Sequence, residues 1–500
     1  MELDSKNKLE GKKKHWLLLA AVFFCFFALY AVTAQRGVSW QDGGEFQYRI
    51  FAGDLRWNSG IARAHPLYVL AASGFAKLFP LAQMFYATNV FSGLGLAIAS
   101  TLLFALVSRL TGRWLCGFLS AVLFGLSHMP WWQGTAAEVD AWGCAFVISE
   151  LTVLSFAVGR ERPGLWLLLA FINGLHFSVH NVALLSFPVL ILACPVKWWP
   201  MCAGTWLVGA IPILLLLPQE FQAFGWAGTV RSVLFGHGFE GSALGSSFNV
   251  KIVFINFALF AVNFMNPAWV FAVKPLFMMR GKFLILVRWV MFFHVLFFVR
   301  YFAPNQAQFS APVVMLTALW AGLGVSCLKK RSLIALIAVS VLCSTLVPPL
   351  ILTGVNGGQL FPKRERSLPF RDEARYWLLP WKHNEDSAFR FVKEVGRQLH
   401  AGDVLIADST STGPLLAARS SGLVTSDWRL VTPWSGETDG ELSALTRTNR
   451  PRVYVVSPVL GYTSRAVLDA ATAGFEQDGV LYRVLQERGS SSAHVRKERK

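Results

Sequence analysis

Between Trp40 and Tyr68 the chain reads "WQDGGEFQYRIFAGDLRWNSGIARAHPLY", which sets Asp42, Glu45, Asp54, Arg63 and His65 directly after a long apolar run. Asp42 and Glu45 flank Gly43 and Gly44. A paired acid can split into two pKa values and two roles, and glycines let a ligand approach the backbone closely. The chemistry that fits is proton removal from a hydroxyl by Asp42, with Glu45 orienting the loop or the acceptor. Three further stretches carry polar groups among apolar residues. "SHMPWWQGTAAEVDAW" holds His128, Glu138 and Asp140; "NGLHFSVHN" holds His176, His180 and Asn181; "RYFAPNQAQFS" holds Arg300, Asn305 and Gln308. Ionisable groups at membrane depth are costly and line cavities or sites. Arg63, His65, Glu138, Asp140, His176, His180, Asn181, Arg300, Asn305 and Gln308 are therefore read as substrate-binding candidates. Asp54 and Glu220 are read as surface residues. Each reading has a plainer rival: "EVD" could cap a helix N-terminus, Arg300 could anchor at an interface, and His176 with His180 could pack rather than bind.

The elements that must position these groups are mostly apolar. The 500 residues are 54% hydrophobic and 15% charged, which excludes an ordinary soluble chain. The formal charge of +17 does not indicate nucleic acid, because the basic residues lie in short clusters between apolar stretches. Taken as cytoplasmic loops, those clusters give about eleven spans. They fall near 16–34, 84–107, 114–128, 137–158, 165–178, 180–194, 200–217, 250–271, 283–301, 309–327 and 333–350. The N-terminus is then cytoplasmic, and all four polar segments face outward. The first span, with its basic lead and an apolar core longer than a signal peptide's, is read as a retained helix. The apolar stretch 65–80 is read as re-entrant or interfacial, since counting it as a span would reverse every later loop.

The expected division is a cytoplasmic basic N-terminus (1–15), a transmembrane domain (16–354) with the acidic motif in its outer loop 35–64, an extracytoplasmic α/β domain (355–489) and a disordered tail (490–500). The α/β reading comes from an amphipathic helix at 383–403, with Phe389, Val392, Val395 and Leu399 on one face, followed by the strand-like "DVLIAD", "RVYVVS" and "VLYRVLQE". No GxGxxG or Walker pattern occurs in this C-terminal domain, so nothing there supports nucleotide binding. The seven cysteines stop at Cys343 and form no CxxC pair, so they suggest no metal site and no disulfide in the C-terminal domain. There is no N-x-[ST] sequon, which favours a bacterial source.

"QDGGEF … AHPLYVL … LFP" resembles the D-x-G-E … H-P-P-G-Y-P-L-Y … P pattern of a family long labelled as a domain of unknown function. That family contains the eukaryotic transmembrane protein O-mannosyltransferase and many bacterial homologues. "AAEVDAW", "NGLHFSVHNVALLSFP" and "GDVLIADSTSTGPLL" look like its later segments. The chain departs in having "HPL" for the double proline and "EVD" for the usual "EVY". The resemblance implies a class-C (GT-C) glycosyltransferase that moves a sugar, mannose-like hexoses being favoured, from a polyprenyl-phosphate donor. The acceptor is a hydroxyl of a protein or glycan outside the cytoplasm, protein Ser or Thr included, and anomeric inversion is expected. It implies integral, multi-pass residence in a lipid bilayer: the bacterial plasma membrane, or the endoplasmic reticulum in a eukaryote. It also favours catalysis without a metal or other cofactor, a divalent ion at the carboxylates being the alternative. A transporter or flippase of lipid-linked sugars is the rival class, though no internal repeat supports it. A non-catalytic membrane component with an outer binding domain is the third reading.

Overall fold

The computed structural model describes residues 2–56, 60–237, 249–302, 305–357, 367–425, 427–433, 436–447 and 451–485. The basic tail 490–500 lies outside them. The chain forms two compact units, one of Met1–Ser39, Arg49–Pro362 and Asp372–Asp386, the other of Trp40–Tyr48, Lys363–Arg371 and Ser387–Lys500. The first two turns of the acidic segment belong with the C-terminal unit, and 372–386 belongs with the helical one.

Among its described residues the helical unit has six helical segments long and apolar enough to cross a membrane: Trp16–Thr33, Leu81–Thr111, Asp140–Ala157, Lys282–Arg300, Gln306–Cys327 and Lys330–Gly357. Two bent pairs raise the number to eight at most. Ala183–Ala193 meets Val196–Gly209 at 119°, and Val253–Val262 meets Pro267–Met278 at 92°. The eleven spans expected are not confirmed, six to eight candidates being found among the described residues, and the breaks have identifiable causes. Pro195 and Pro267 sit at the two bends, where the preceding residue is driven out of helical geometry and a donor is lost. Asn266 then caps the second half of its pair by accepting from the Ala268 amide. Trp114–Gly125 and Pro163–Val179 are apolar but shorter than a span. The stretch after His65 is an eleven-residue helix, Pro66–Ala76, with proline at its first position.

Close helix crossings set the scaffold around His180. A Cβ on Gly174 would stand 2.2 Å from the Trp206 carbonyl oxygen, and one on Gly209 would stand 2.4 Å from that of Phe171. The glycines let Pro163–Val179 and Trp199–Gly209 touch backbone to backbone, as small residues do between apolar helices. The main core joins Tyr30, Leu103, Phe104, Phe124, Ile148 and Trp320, all buried.

The C-terminal unit is a five-stranded sheet in the order β2-β1-β3-β5-β4. The strands are β1 Val404–Ile406, β2 Arg429–Val431, β3 Val453–Val455, β4 Phe475–Asp478 and β5 Leu481–Val484. β1 pairs in parallel with β2 and β3, whereas β5 runs antiparallel to β3 and β4. Its amphipathic helix is Ser387–Gln398, which buries Phe391, Val392 and Val395. Phe389, expected on that face, is only half-buried and carries Lys393 over its ring at 4.4 Å.

Candidate active site

The acidic motif opens the helix Gln41–Ala52. Gln41 has φ 53°, a left-handed conformation that costs a non-glycine residue roughly 1–2 kcal/mol. Such strain clusters at functional sites. Before it, the Trp40 indole donates to Ser387 Oγ at 2.8 Å and its ring lies 5.1 Å from Phe391. The Gly43–Gly44 pair has a neighbour that the sequence did not reveal. A Cβ on Gly413 would come within 2.6 Å of the Glu45 amide, 2.7 Å of the Gln41 carbonyl oxygen and 2.9 Å of the Gly44 carbonyl carbon. Helix Ser409–Ser420 thus crosses the motif's backbone at a glycine, and close helix packing accounts for small residues there. Asp42 is half-buried and Glu45 is 5% exposed. Asp42, Glu45 and Arg49 follow an i, i+3, i+7 spacing, which puts them on one helical face.

Arg49 is fully buried. Its guanidinium donates to the carbonyls of Asp54 at 3.2 Å, Leu55 at 3.2 Å, Arg63 at 3.0 Å and Ala64. Five fixed donors on a planar group suit this task. The loop before His65 is thereby closed from inside. It is held from outside by Glu220, which is 1% exposed and not the surface residue expected. Glu220 accepts from Arg56 at 2.8 Å, His237 at 2.7 Å and Ser232. Ser232 in turn accepts from the Ile61 amide at 2.8 Å. Burial raises the Glu220 pKa, but the three hydrogen bonds outweigh it, so the carboxyl titrates below its ordinary value.

His65 follows with φ 46°, left-handed immediately before Pro66. Its Nδ1 lies 2.8 Å from the Val179 carbonyl, which can only accept, so Nδ1 carries the proton. Burial holds the ring well below the ordinary histidine pKa, with His180 and Arg49 adding to the effect. In neutral His65 the Nε2 therefore carries no proton. His180 has the opposite tautomer. Its Nδ1 accepts from the Val182 amide at 3.1 Å, which leaves the proton on Nε2, 3.5 Å from Asp140 Oδ1. Burial, then the neighbouring His176, lowers its pKa to about 3. The two imidazoles stand 4.9 Å apart.

Glu138 joins from the same segment as Asp140. Gln308 Nε2 donates to Glu138 Oε1 at 3.3 Å, and Asn305 donates to Gln308 Oε1 at 2.9 Å. The Glu138 backbone is fixed at both ends by Ser92, whose hydroxyl also meets Tyr68 at 3.0 Å. His65, Glu138, Asp140, His180, Asn305 and Gln308 are thus drawn into linked contacts within the helical unit. They provide donors and acceptors suited to a hydroxylated ligand.

Other candidates are placed elsewhere. His176 turns to Glu150, at 2.8 Å, and stacks on Phe146. Asn181 is half-buried in the turn beside His180, Arg63 is half-buried, and Arg300 is exposed at the end of its helix. Arg49, Tyr68 and Glu150 were not singled out from the sequence. Glu150 had a usable signal, a lone carboxylate within the apolar "AFVISELTVL". Among the described residues no group of three or more His, Cys, Asp or Glu side chains is arranged to hold a metal ion.

The fold is of the GT-C type. ArnT from Cupriavidus metallidurans superposes with a TM-score of 0.58 both in its apo state and bound to undecaprenyl phosphate. The two comparisons cover 95% and 94% of this chain and 98% of ArnT, at 14% and 13% identity, so the likeness is one of fold. In sequence, 185 residues are 32% identical to protein O-mannosyl-transferase TMEM260 of Mus musculus. That match covers 36% of this chain and 25% of the mouse protein, so the chain spans about a quarter of that relative's length. No family model matches the sequence.

Proposed function

We propose that this chain is a membrane glycosyltransferase that moves a sugar from a polyprenyl-phosphate carrier to an acceptor hydroxyl on the extracytoplasmic side. One observation carries the reading: 94% of the chain shares its fold with an enzyme solved with undecaprenyl phosphate bound. The partial identity to a protein O-mannosyl-transferase favours a mannose-like hexose as the sugar and a protein Ser or Thr as the acceptor.

In this mechanism Asp42 takes the proton of the acceptor hydroxyl as its oxygen attacks the anomeric carbon. The bond to the carrier phosphate breaks, the phosphate leaves on the lipid, and the anomeric centre inverts. Glu45, one turn further on, orients the loop or the acceptor. The leaving phosphate is met by charged and neutral donors, Arg63, Arg300 and the Nε2–H of His180 with Asn181. Glu138, Asp140, Gln308 and Asn305 bind the hydroxyls of sugar or acceptor. Holding both reactants at one interface adds to the rate. No metal is invoked, since cations and hydrogen-bond donors can balance a single phosphate.

The test is to incubate the purified protein with radiolabelled polyprenyl-phosphate sugars and a hydroxyl acceptor. Label is expected to leave the lipid phase and appear on the acceptor. Tight donor binding with the label still on its carrier, or moved intact across a vesicle, overturns the reading in favour of a transporter.

A further inference from the structure

Helix Asp140–Ala157 carries a second carboxylate that the proposed mechanism does not use. Glu150 lies ten residues beyond Asp140, roughly 15 Å along the helix, and is 1% exposed. Its Oε1 accepts from His176 Nδ1 at 2.8 Å and from Asn173 Nδ2 at 2.9 Å. The Asn173 amide also donates to the Ala183 carbonyl at 3.3 Å, and its oxygen accepts from the Trp206 indole at 2.9 Å. One carboxylate oxygen therefore ties Asp140–Ala157 to Pro163–Val179 directly, and to the two following helices through Asn173.

These ties bracket a single turn. His176 precedes it and Ala183 follows it. Inside it, the His180 amide donates to the His176 carbonyl at 2.7 Å and the Ala183 amide donates to the His180 carbonyl at 3.1 Å. The ring of His180 then accepts from Val182 through Nδ1, which leaves Nε2–H toward Asp140. Asp140 and Glu150 stand on the same helix, so that helix faces the tip of the turn with one acid and grips its base with the other. We infer that Glu150 is a positioning residue: through His176 and Asn173 it fixes the turn that carries His180, and so fixes the tautomer and direction of the His180 Nε2–H donor. The value of that donor to catalysis rests on the glycosyltransfer reading; its positioning does not.

A carboxylate kept only for packing and one kept for this purpose respond differently to substitution. Glu150→Gln keeps an oxygen acceptor in place, whereas Glu150→Ala removes it. The first readout is the nitrogen NMR signature of His180 in 15N-histidine-labelled full-length protein in bilayers, assigned by its loss in His180→Gln. Wild type and Glu150→Gln are expected to show one tautomer with a bare Nδ1. Glu150→Ala is expected to show tautomer averaging. The second readout is kinetic. Glu150→Ala is expected to raise the donor KM on the order of tenfold, as loss of a charged hydrogen bond would, with kcat little changed. Glu150→Gln is expected to restore KM. Should Glu150→Ala not fold, Asn173→Ala removes the bonds to Glu150, Ala183 and Trp206 while leaving the Glu150–His176 contact, and is expected to average the same signal. An unchanged His180 tautomer in whichever variant folds overturns the inference. A wild type that transfers no sugar while the tautomer result holds overturns the proposed function and leaves this inference standing.

Discussion

At the residue scale the site depends on two neutral imidazoles in opposite tautomers. His65 is buried against the Val179 carbonyl, and His180 receives the Val182 amide. Both have folded pKa values below that of a free histidine, about 6.5. The unfolded chain therefore binds more protons on acidification, and stability rises with pH across the window between about 3, the His180 value, and the free value. Thermal unfolding is expected at a lower temperature at about pH 5 than at about pH 7.5, and His180→Gln should flatten that slope. Equal midpoints in wild type would contradict the burial assigned to these rings. The residue types at the site were legible because polar groups stand out in apolar sequence. Their pairing was not. His176 and His180 are four apart, yet the helix ends at Val179, so one ring meets Glu150 and the other meets Asp140.

At the element scale, the helix Gln41–Ala52 is tied at both ends by features that no motif displays. Gly413 admits the backbone of its first turns. Gly413→Ala should destabilise the chain by about 1–3 kcal/mol through overpacking. Gly354→Ala, where a Cβ meets nothing within 4 Å, should shift the melting temperature very little. Similar shifts for the two would show that the crossing is loose. At the other end Arg49 donates to four carbonyls, those of Asp54, Leu55, Arg63 and Ala64. Arg49→Ala should cost about 1.5–3 kcal/mol or more and speed proteolysis within 54–64; undiminished protease resistance would mean that the loop holds without it. Short edge strands were as hard to foresee. β2 reads "RLV" and β4 reads "FEQD", so neither has the longer apolar stretch that marked β1, β3 and β5.

At the scale of the whole molecule, apolar composition made a helical membrane protein legible, while hydropathy could not distinguish eleven spans from six to eight. Windows of hydrophobicity carry no dihedral angles, so the turns at Pro195 and Pro267 divide apolar sequence without interrupting its composition. Sidedness follows from the basic loops alone. Reporter fusions at Gly413 and Gly281 are expected on opposite sides of the membrane, and the same side for both would overturn the topology. The fold likeness to ArnT and the acidic helix meet in one chemical statement, that Asp42 removes the acceptor proton during transfer. The measurement that tests it most directly is single-turnover transfer from a polyprenyl-phosphate sugar by wild type and Asp42→Asn, with donor binding measured on the same preparations. Asparagine keeps the size and loses the basicity, so transfer should fall by about 10²–10⁴-fold while donor binding stays at the wild-type level. Near wild-type transfer by Asp42→Asn would contradict the assignment and pass the role of base to Glu138 or Asp140.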